Sequence, residues 1–427
     1  MSKIDALAKK KDEELEEKKL RSKRYQWYIV IFMGLVGLMD NNLNLMESQV
    51  ILDIYTHFSV TKEFFAFWQG IFGIVTFSVF FIAWFTDAFG RKKGVLVLIL
   101  VMGVPAFLIP FISFNIWIFY VLYVIVITGT TSNMWEIPVT EESPAKKRGL
   151  YGGIATLISL IPVYAIVGGI IARAFGWQWT YGIFFFFMLG LLVLLFFMKE
   201  PKRWSDAKEK RGHEFLKLKK AIKSFNRTDW IYIITSFIVY CAWSVAFKVG
   251  AGWGETFFED PKISPYFPNI SWDIIILIAG LMILIGAILS GILMDKISRK
   301  VTLIVGAIGS ILGFVLLGIT RSPIALWIGY LSMPIVFTWI MVYFNEMFRT
   351  EIRGTATGIA ALGSRLSYVL GPLLASVLLT NVASGADQYY VLFWIVPGLL
   401  MIIPLITLLI KPYEPKGKSL ETIQEER

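Results

Sequence analysis

Two charged signatures limit the possible folds of this chain more than any other feature. They lie about half a chain apart, and each is placed where an apolar stretch ends. The first charged signature consists of Asp87, Gly90, Arg91, Lys92, Glu141, Arg148, Gly149 and Gly153. The second consists of Asp295, Ser298, Arg299, Lys300, Glu346, Arg353, Gly354 and Gly358. The offset is 208 residues for the Asp pair and 205 residues for the Glu and Arg pairs. Chance rarely repeats two separate motifs at so constant an offset, so the chain consists of two related halves.

The composition is that of a membrane protein. Hydrophobic residues make up 56% and charged residues 17% of the 427 positions, whereas soluble proteins are about 45–50% apolar and about 25% charged. Apolar runs of about 20 residues recur along the chain, the length of helix that crosses ~30 Å of hydrocarbon. Because a bilayer contains no water to satisfy backbone groups, such runs fold as helices. The ten-residue alternating segments of a membrane β-barrel are missing from the sequence.

The apolar runs predict an all-α membrane protein with twelve transmembrane helices in two six-helix bundles. In the first half we expect spans at 27–50, 64–86, 94–113, 115–138, 149–172 and 178–198. In the second half we expect them at 229–250, 272–294, 301–320, 323–345, 354–380 and 389–410. The predicted domains are a cytoplasmic tail at 1–24, an N-terminal bundle at 25–198, a cytoplasmic linker at 199–228, a C-terminal bundle at 229–411 and a cytoplasmic tail at 412–427.

The distribution of Lys and Arg predicts the orientation. If the N-terminus is cytoplasmic, the cytoplasmic segments contain 35 of the 41 Lys and Arg residues, as the positive-inside rule requires. We therefore expect a multi-pass protein of the cell (plasma) membrane with both termini in the cytoplasm. The net charge of +10 is spread over many short loops, which argues against nucleic-acid binding. The first 24 residues are rich in Lys and Glu and lack the apolar core of a signal peptide.

Residues that build metal centres and disulfides are scarce. Cys241 is the one cysteine, and the two histidines, His57 and His213, lie in loops predicted on opposite sides. Neither a disulfide framework nor a metal site is therefore expected. No Gly-x4-Gly-Lys-Ser/Thr loop is present in the sequence, which excludes ATP as the driving force. We expect no cofactor and no enzymatic activity, but a monomer in the lipid bilayer that handles a small-molecule substrate.

The acidic members of the charged signatures distinguish them from ordinary basic anchors. Positive-inside anchoring accounts for the lysines, but not for Asp87 and Glu141 or their repeat in the second half. Arg–carboxylate pairs are strong where water is partly excluded, so they would hold neighbouring helix ends together. We expect a cytoplasmic latch that favours one arrangement of the two halves. Its predicted members are Asp87, Arg91, Glu141, Arg148, Asp295, Arg299, Glu346 and Arg353.

The charged signatures also carry a family resemblance. The segments around Asp87 and Asp295 resemble the signature that the major facilitator superfamily has in loops 2–3 and 8–9. The repeated Glu-x6-Arg element resembles those of its sugar-porter and organic-ion branches, and residues 200–204 partly resemble the element that follows helix six there. The resemblance covers all twelve spans and implies transport by alternating access. It does not name a substrate, because the seventh and tenth spans lack the glutamine pair and the Pro-x-Pro-Trp element of sugar porters.

Asp40 is the candidate for proton coupling. It lies 13 residues past Trp27, about 20 Å along a helix and therefore near the midplane. Asn44 and Glu47 follow at i+4 and i+7 and share its face, and the resemblance implies that the first span lines the central cavity. Burial disfavours the charged form of a carboxyl, which suits Asp40 to carry a proton. The alternative is a structural carboxylate that is hydrogen-bonded to a neighbouring helix.

Two basic residues lie within predicted spans of the second half. Arg365 lies about 17 Å into the eleventh span. Because arginine keeps its charge, it needs a carboxylate, a carbonyl cluster or an anionic substrate. We expect it to pair with Asp40, to bind substrate or to have a purely structural role. Lys248 lies about 27 Å along the seventh span, where it is either a snorkelling lysine at the interface or a substrate contact.

Amide and aromatic side chains near the ends of two other spans complete the candidate site. Asn133 lies in the fourth span and Trp339 in the tenth, and the resemblance implies that both spans line the cavity. Aromatic rings beside amides suit polar ring or carboxylate solutes, although Trp near a span end is also a common membrane-belt anchor. The predicted substrate-binding residues are Arg365, Asn44, Asn133, Trp339 and Lys248.

The sequence therefore predicts a secondary active transporter that moves a small polar or anionic metabolite, such as a sugar, a sugar acid or a carboxylate. We expect proton-coupled uptake by alternating access, with Asp40 as the proton carrier. An exporter or uniporter of the same fold, and a solute sensor that does not transport, remain open alternatives.

Overall fold

The structure is a computed structural model, and it describes residues 21–130, 134–144, 148–201, 204–205, 225–260, 269–348, 353–382, 387–410, 413–415, 423 and 425–426. Most of the predicted N-terminal tail and linker falls outside these ranges, as does Asn133. The side chains of Asp87, Arg148 and Arg353 fall outside them as well, so the roles predicted for these residues stay predictions.

Each of the twelve predicted spans contains one or more helices in the part of the chain that the structure describes. In the first half the helices are Lys23–Leu45 and Glu47–His57 (span 1), Lys62–Gly73, the 3-10 turn Ile74–Ser78 and Val79–Phe89 (span 2), Arg91–Ile112 (span 3), Ile116–Gly129 and Glu136–Glu142 (span 4), Arg148–Ser159 and Val163–Phe175 (span 5), and Gln178–Gly182 and Phe184–Phe197 (span 6). In the second half they are Arg227–Gly252 and Gly254–Glu259 (span 7), Trp272–Lys296 (span 8), Arg299–Thr320 (span 9), Pro323–Met347 (span 10), Arg353–Val382 (span 11), and Asp387–Leu400, Ile402–Ile406 and the 3-10 turn Thr407–Leu409 (span 12).

Polar caps fix where several spans begin. The side chains of Ser22, Thr61 and Asn115 accept backbone N–H groups at the starts of spans 1, 2 and 4. Asn226 and Asp229 form a reciprocal capping box at the start of span 7. The first N–H groups of a helix have no partner within the helix, and a cap that satisfies one stabilises it by about 0.5–2 kcal/mol.

Span 4 is not the continuous helix that the apolar run over 115–138 predicts. Its first helix ends at Gly129, Thr130 has an extended backbone with φ −72° and ψ 163°, and helix is found again from Glu136. The sequence after Gly129 is Thr-Thr-Ser-Asn, and such side chains compete for backbone hydrogen bonds and disfavour a helix interior. The prediction of a continuous helix was therefore wrong, and the break exposes carbonyl oxygens in the interior of the protein.

The helices pack as two halves that meet along several pairs of spans. In the first half, span 1 packs on span 5, and span 3 packs on spans 4 and 6. In the second half, span 7 packs on span 11, and span 10 packs on spans 8 and 9. Between the halves, span 2 packs on span 11 and span 5 packs on span 8. We call the side where span 1 begins and span 12 ends the terminal side, and the other side the opposite side.

Glycines allow span 2 to approach span 11 closely. A Cβ atom added at Gly73 would overlap the main-chain carbonyl oxygen of Tyr368, and one added at Gly70 would lie 2.8 Å from Leu373 Cγ. Small residues are what allows close packing of helices in membranes, where no hydrophobic effect drives them together. The two glycines therefore set the distance between the halves at this contact.

Candidate functional site

Two adjoining cavities lie between the halves. The space that protein atoms leave free, open solvent included, is about 420 Å³ in the larger and about 260 Å³ in the smaller, and Gln69, Lys248 and Pro372 line both. Asn44 and Glu47 add polar groups to the larger cavity, which also has aliphatic and aromatic walls. Small-molecule sites commonly have this character, mainly apolar with a few converging polar groups.

Lys248 lies at the centre of this region. Its Nζ atom donates a hydrogen bond of 3.2 Å to Asn44 Oδ1 and lies 4.4 Å from the centroid of the Tyr368 ring. The Tyr368 hydroxyl donates to the same Asn44 oxygen at 2.7 Å. The structure therefore brings two predicted substrate-binding residues, Asn44 and Lys248, together from different halves. It does not support the alternative of a snorkelling lysine, because Nζ is held by groups in the cavity wall.

Arg365 is buried and binds the broken end of span 4. Its guanidinium donates to the carbonyl oxygens of Ile127 at 3.3 Å and Thr130 at 2.7 Å, and it lies 5.8 Å from the centroid of the Tyr368 ring. Arg365 also interacts electrostatically with Asp40. Of the partners expected from the sequence, the carbonyl cluster accepts these two hydrogen bonds.

Asp40 is buried beside other charged groups. Only 1% of its surface is exposed, and it interacts electrostatically with Arg365 and with Glu136, which begins the second helix of span 4. It lines neither of the two cavities. A like charge nearby disfavours the ionised form of a buried carboxyl, so this arrangement suits proton binding at Asp40, whose predicted role stays a prediction.

Trp339 lies away from these cavities. It is 1% exposed and stacks on Tyr343 of its own helix, with ring centroids 4.6 Å apart and planes 13° apart. Its Nε1 atom has no hydrogen-bond partner among the described residues. Burial excludes the alternative of a lipid-facing anchor, but the structure does not bring Trp339 together with Asn44 and Lys248.

A polar cluster around Glu47 is a part of the cavity that the sequence did not predict. The Glu47 carboxylate, 6% exposed, accepts hydrogen bonds from the Gln69 amide of span 2 and the Tyr123 hydroxyl of span 4. The sequence contained a signal for each residue: Glu47 shares its helix face with Asp40, and Gln69 is a polar residue within an apolar span. What the sequence did not show is that these side chains converge.

Arg91 of the first charged signature lies in a network at the terminal side. Its guanidinium donates to Glu141 from both Nε and Nη2 at 3.1 Å. The Glu200 carboxylate accepts the backbone N–H groups of Arg91 at 2.8 Å and Lys92 at 3.1 Å. A carboxylate is favoured there by the positive end of the helix dipole. Gly90 has φ 121°, and a Cβ atom at this position would lie 2.5 Å from Glu200 Oε1.

The second half repeats this network. Arg299 donates to Glu346 from Nη2 at 2.8 Å and from Nε at 3.3 Å. The Glu414 carboxylate accepts the backbone N–H groups of Arg299 at 3.1 Å and Lys300 at 3.2 Å. Asp295 lies 3.5 Å from Arg299, but its side chain is 82% exposed.

Each of these networks joins helix ends within one half. The described arginines of the predicted cytoplasmic latch, Arg91 and Arg299, therefore pair inside their own bundle. These pairs can affect the arrangement of the halves only through the positions of the helix ends that they join. Glu200-Pro201 and Glu414-Pro415 form a further repeat, 214 residues apart. This repeat is visible in the sequence, but it was not part of the predicted charged signatures.

Glu346→Gln is expected to disturb the terminal side more than Asp295→Asn does. The Arg299–Glu346 pair is partly buried, and hydrogen bonds to charged groups stabilise by about 1.5–3 kcal/mol, whereas an exposed pair contributes about 0–1 kcal/mol. Spin-label distances between the terminal-side ends of spans 2 and 8 measure the effect. A change with Asp295→Asn as large as that with Glu346→Gln would contradict the assignment.

Polar contacts between the halves close the opposite side. Asp273 of span 8 pairs with Arg173 and accepts a hydrogen bond of 2.8 Å from Gln49. Glu255 accepts the backbone N–H of Leu52 at 2.7 Å. Other contacts are Trp272 Nε1 to the Ser48 carbonyl at 3.0 Å, Lys62 to Asp260 at 3.6 Å and the Ser376 hydroxyl to the Glu63 carbonyl at 2.8 Å. This conformer therefore blocks passage on the opposite side.

Two related helical halves enclose a cavity with a few converging polar groups, and contacts that cross the interface close it on one side. This is the architecture of a membrane transporter. A sequence profile of the Major Facilitator Superfamily matches residues 29–345 and 266–427, and the chain belongs to this family. The family and the fold predicted from the sequence are thereby confirmed. Members of the family move solutes, so the protein is a transporter and not an enzyme.

Several similar proteins are named as transporters of sugars or metabolites. The chain is 26% identical over 383 residues to the glucose transporter GlcP of Staphylococcus epidermidis, covering 80% of this chain and 83% of that one. It is 23% identical over 381 residues to the putative metabolite transport protein YwtG of Bacillus subtilis, covering 80% and 81%. The fold matches the xylose transporter XylE of E. coli in a partially occluded inward-open conformation, with a TM-score of 0.71, 14% identity, and coverage of 93% and 100%. XylE is a proton:xylose symporter.

Proposed function

We propose that this transporter takes up a small polar or anionic metabolite (a sugar, sugar acid or carboxylate) by proton-coupled alternating access. The observation that carries the proposal is the Lys248 ammonium in the cavity wall. An ammonium has three N–H donors, and Asn44 is its one hydrogen-bond acceptor among the described residues. The other donors are available to a carboxylate or hydroxyl group of a solute in the adjoining space.

The similar proteins support a hydroxyl-rich solute, since GlcP is a glucose transporter and XylE a proton:xylose symporter. The positive charge of Lys248 adds a preference for a solute that also bears a negative charge. The Lys and Arg distribution supports a plasma-membrane protein whose terminal side faces the cytoplasm.

Asp40 is the proposed proton carrier, and Arg365 is its proposed counter-charge. Arg365 remains charged at any accessible pH, is anchored on span 4 carbonyls and interacts with Asp40. Protonation of Asp40 would weaken that interaction, which joins span 11 of one half to span 1 of the other. Arg365 and Trp339 line neither cavity, and Asn133 lies outside the described residues. Direct substrate contacts by these three residues remain part of the proposal.

The test has a binding stage and a transport stage. Purified protein is screened by thermal shift with D-glucose, D-xylose, D-gluconate and D-glucuronate, because a ligand of the native state raises apparent stability. Radiolabelled binders are then supplied to proteoliposomes with an imposed pH gradient. Accumulation that a protonophore abolishes supports symport, and its direction relative to the gradient separates uptake from export. Accumulation unaffected by the protonophore, or equilibration without accumulation, would overturn proton coupling.

Lys248→Gln is expected to weaken binding of an anionic solute about ten- to a hundredfold and binding of a neutral sugar much less. A hydrogen bond to a charged group is worth about 1.5–3 kcal/mol, and each 1.4 kcal/mol is tenfold in Kd. Lys93→Gln is the matched control, because Lys93 is exposed at the terminal end of span 3. Calorimetric Kd values measure the effect, and equal losses for both solute classes would contradict a charge-selective role.

A further inference from the structure

Glu47 is a buried carboxyl to which the proposed function assigns no role. It begins the second helix of span 1 and lines the larger cavity. Its carboxylate accepts hydrogen bonds from Gln69 and Tyr123, so two elements of the first half hold it in a fixed position. A carboxyl that is exposed to a cavity and otherwise surrounded by protein is a functional candidate in a membrane protein.

The groups that face Glu47 come from four other spans, and one of them is a cation. Span 2 contributes Gln69, span 4 contributes Tyr120 and Tyr123, span 6 contributes Tyr181, and span 7 contributes Lys248. Tyrosine is neutral near physiological pH, so Lys248 is the positive charge in this set. The carboxylate form of Glu47 is thus supported by two neutral hydrogen-bond donors and by one ammonium from the other half.

The interaction between Glu47 and Lys248 acts through space. The two groups interact electrostatically, but the hydrogen bond of the ammonium goes to Asn44. A negatively charged solute group beside Lys248 would therefore neutralise the charge that favours ionised Glu47, without having to break a direct bond between the two side chains. Loss of a nearby opposite charge disfavours the ionised form of a carboxyl.

We propose that Glu47 is a second proton-binding carboxyl, whose protonation is linked through Lys248 to the binding of an anionic group in the cavity. The proton binds one Glu47 carboxylate oxygen and leaves from the same atom when the anion departs. By reciprocity, protonation of Glu47 favours the anion by the same factor. The inference rests on the proposed transport function and deepens it: binding of an anionic solute would be accompanied by a proton on Glu47, in addition to the proton on Asp40.

The test reads the protonation state directly. Infrared difference spectra of purified protein, recorded against pH, report the C=O stretch of protonated carboxyl groups in the wild type, Glu47→Gln, Asp40→Asn and Lys248→Met. We expect Glu47→Gln to lose one titrating component that Asp40→Asn retains. Lys248→Met imitates neutralisation of the ammonium and should move the midpoint of that component to higher pH by about one unit or more. Lys93→Gln, which removes an exposed cation at the terminal side, should leave it in place.

Identical wild-type and Glu47→Gln spectra over the whole pH range would overturn the proposal, and so would an unchanged midpoint in Lys248→Met. Gln69 and Tyr123 donate to separate oxygens of Glu47, and glutamine keeps one of these two acceptors. The Lys248→Met arm observes the native Glu47 even if Glu47→Gln does not fold. The spectra need neither solute nor gradient. If proton-driven transport fails, the failure appears in proteoliposomes while the titration of Glu47 is unaffected. If Glu47 does not titrate, the spectra show it whether or not transport is proton-driven.

Discussion

Gly73→Val is expected to stop the protein from closing its opposite side and to reduce turnover accordingly. The first atom of the new side chain would overlap the carbonyl of Tyr368 on span 11. Overpacking of this kind costs about 1–3 kcal/mol, and a free energy of this size shifts an equilibrium between two states about 5- to 150-fold. Because the span 2–span 11 contact joins the halves, the shift should favour the conformer that is open on the opposite side.

Spin-label distances between the opposite-side ends of spans 2 and 11 measure this equilibrium, and replacing Cys241, the one cysteine of the chain, provides the background. Gly190→Val is the matched control, because nothing lies within 4 Å of a Cβ atom added at Gly190. It should leave both distances and turnover unchanged. Wild-type distances in Gly73→Val would show that this contact does not control closure.

Asp40→Asn is expected to abolish accumulation of solute against a gradient while exchange of solute across the membrane continues. The substitution removes the titrating group but hardly changes the volume, so the proton loses its thermodynamic link to transport. Asp40 lines neither cavity, so solute affinity should change little. The ratio of solute inside to outside should fall to the value set by equilibration alone.

Asp53→Asn makes the same chemical change in the second helix of span 1, at an exposed residue, and should leave accumulation at the wild-type level. Counterflow in proteoliposomes measures the exchange that persists in Asp40→Asn. Proton-driven accumulation in the Asp40→Asn variant would count decisively against this residue, and Glu47 or Glu136 would then be the carboxyls to examine.

Local features of the chain were sufficient to predict the fold. Span positions follow from the length of apolar runs, because a helix in lipid must satisfy its own backbone, and this constraint acts on each segment separately. The two halves follow from the repeat of the charged signatures. The prediction of a continuous helix was wrong for span 4, whose first helix ends at Gly129. Hydropathy favoured a longer helix, and it outweighed the low helix propensity of the Thr, Ser and Asn residues that follow.

The sequence also predicted individual candidate residues, including Asp40, Asn44, Lys248 and Arg365, because an ionisable or amide group within a span is uncommon and costly. It could not determine their partners. Asn44 and Lys248 are 204 residues apart, and Arg365 is 235 residues from Thr130. Which side chains meet depends on helix rotation and on close approaches such as that at Gly73, and both are set by packing between halves. The sequence by itself therefore determined the fold, the repeat and the candidate residues, whereas only the tertiary structure decided that Lys248 faces a cavity with Glu47 and that Arg365 binds a broken helix.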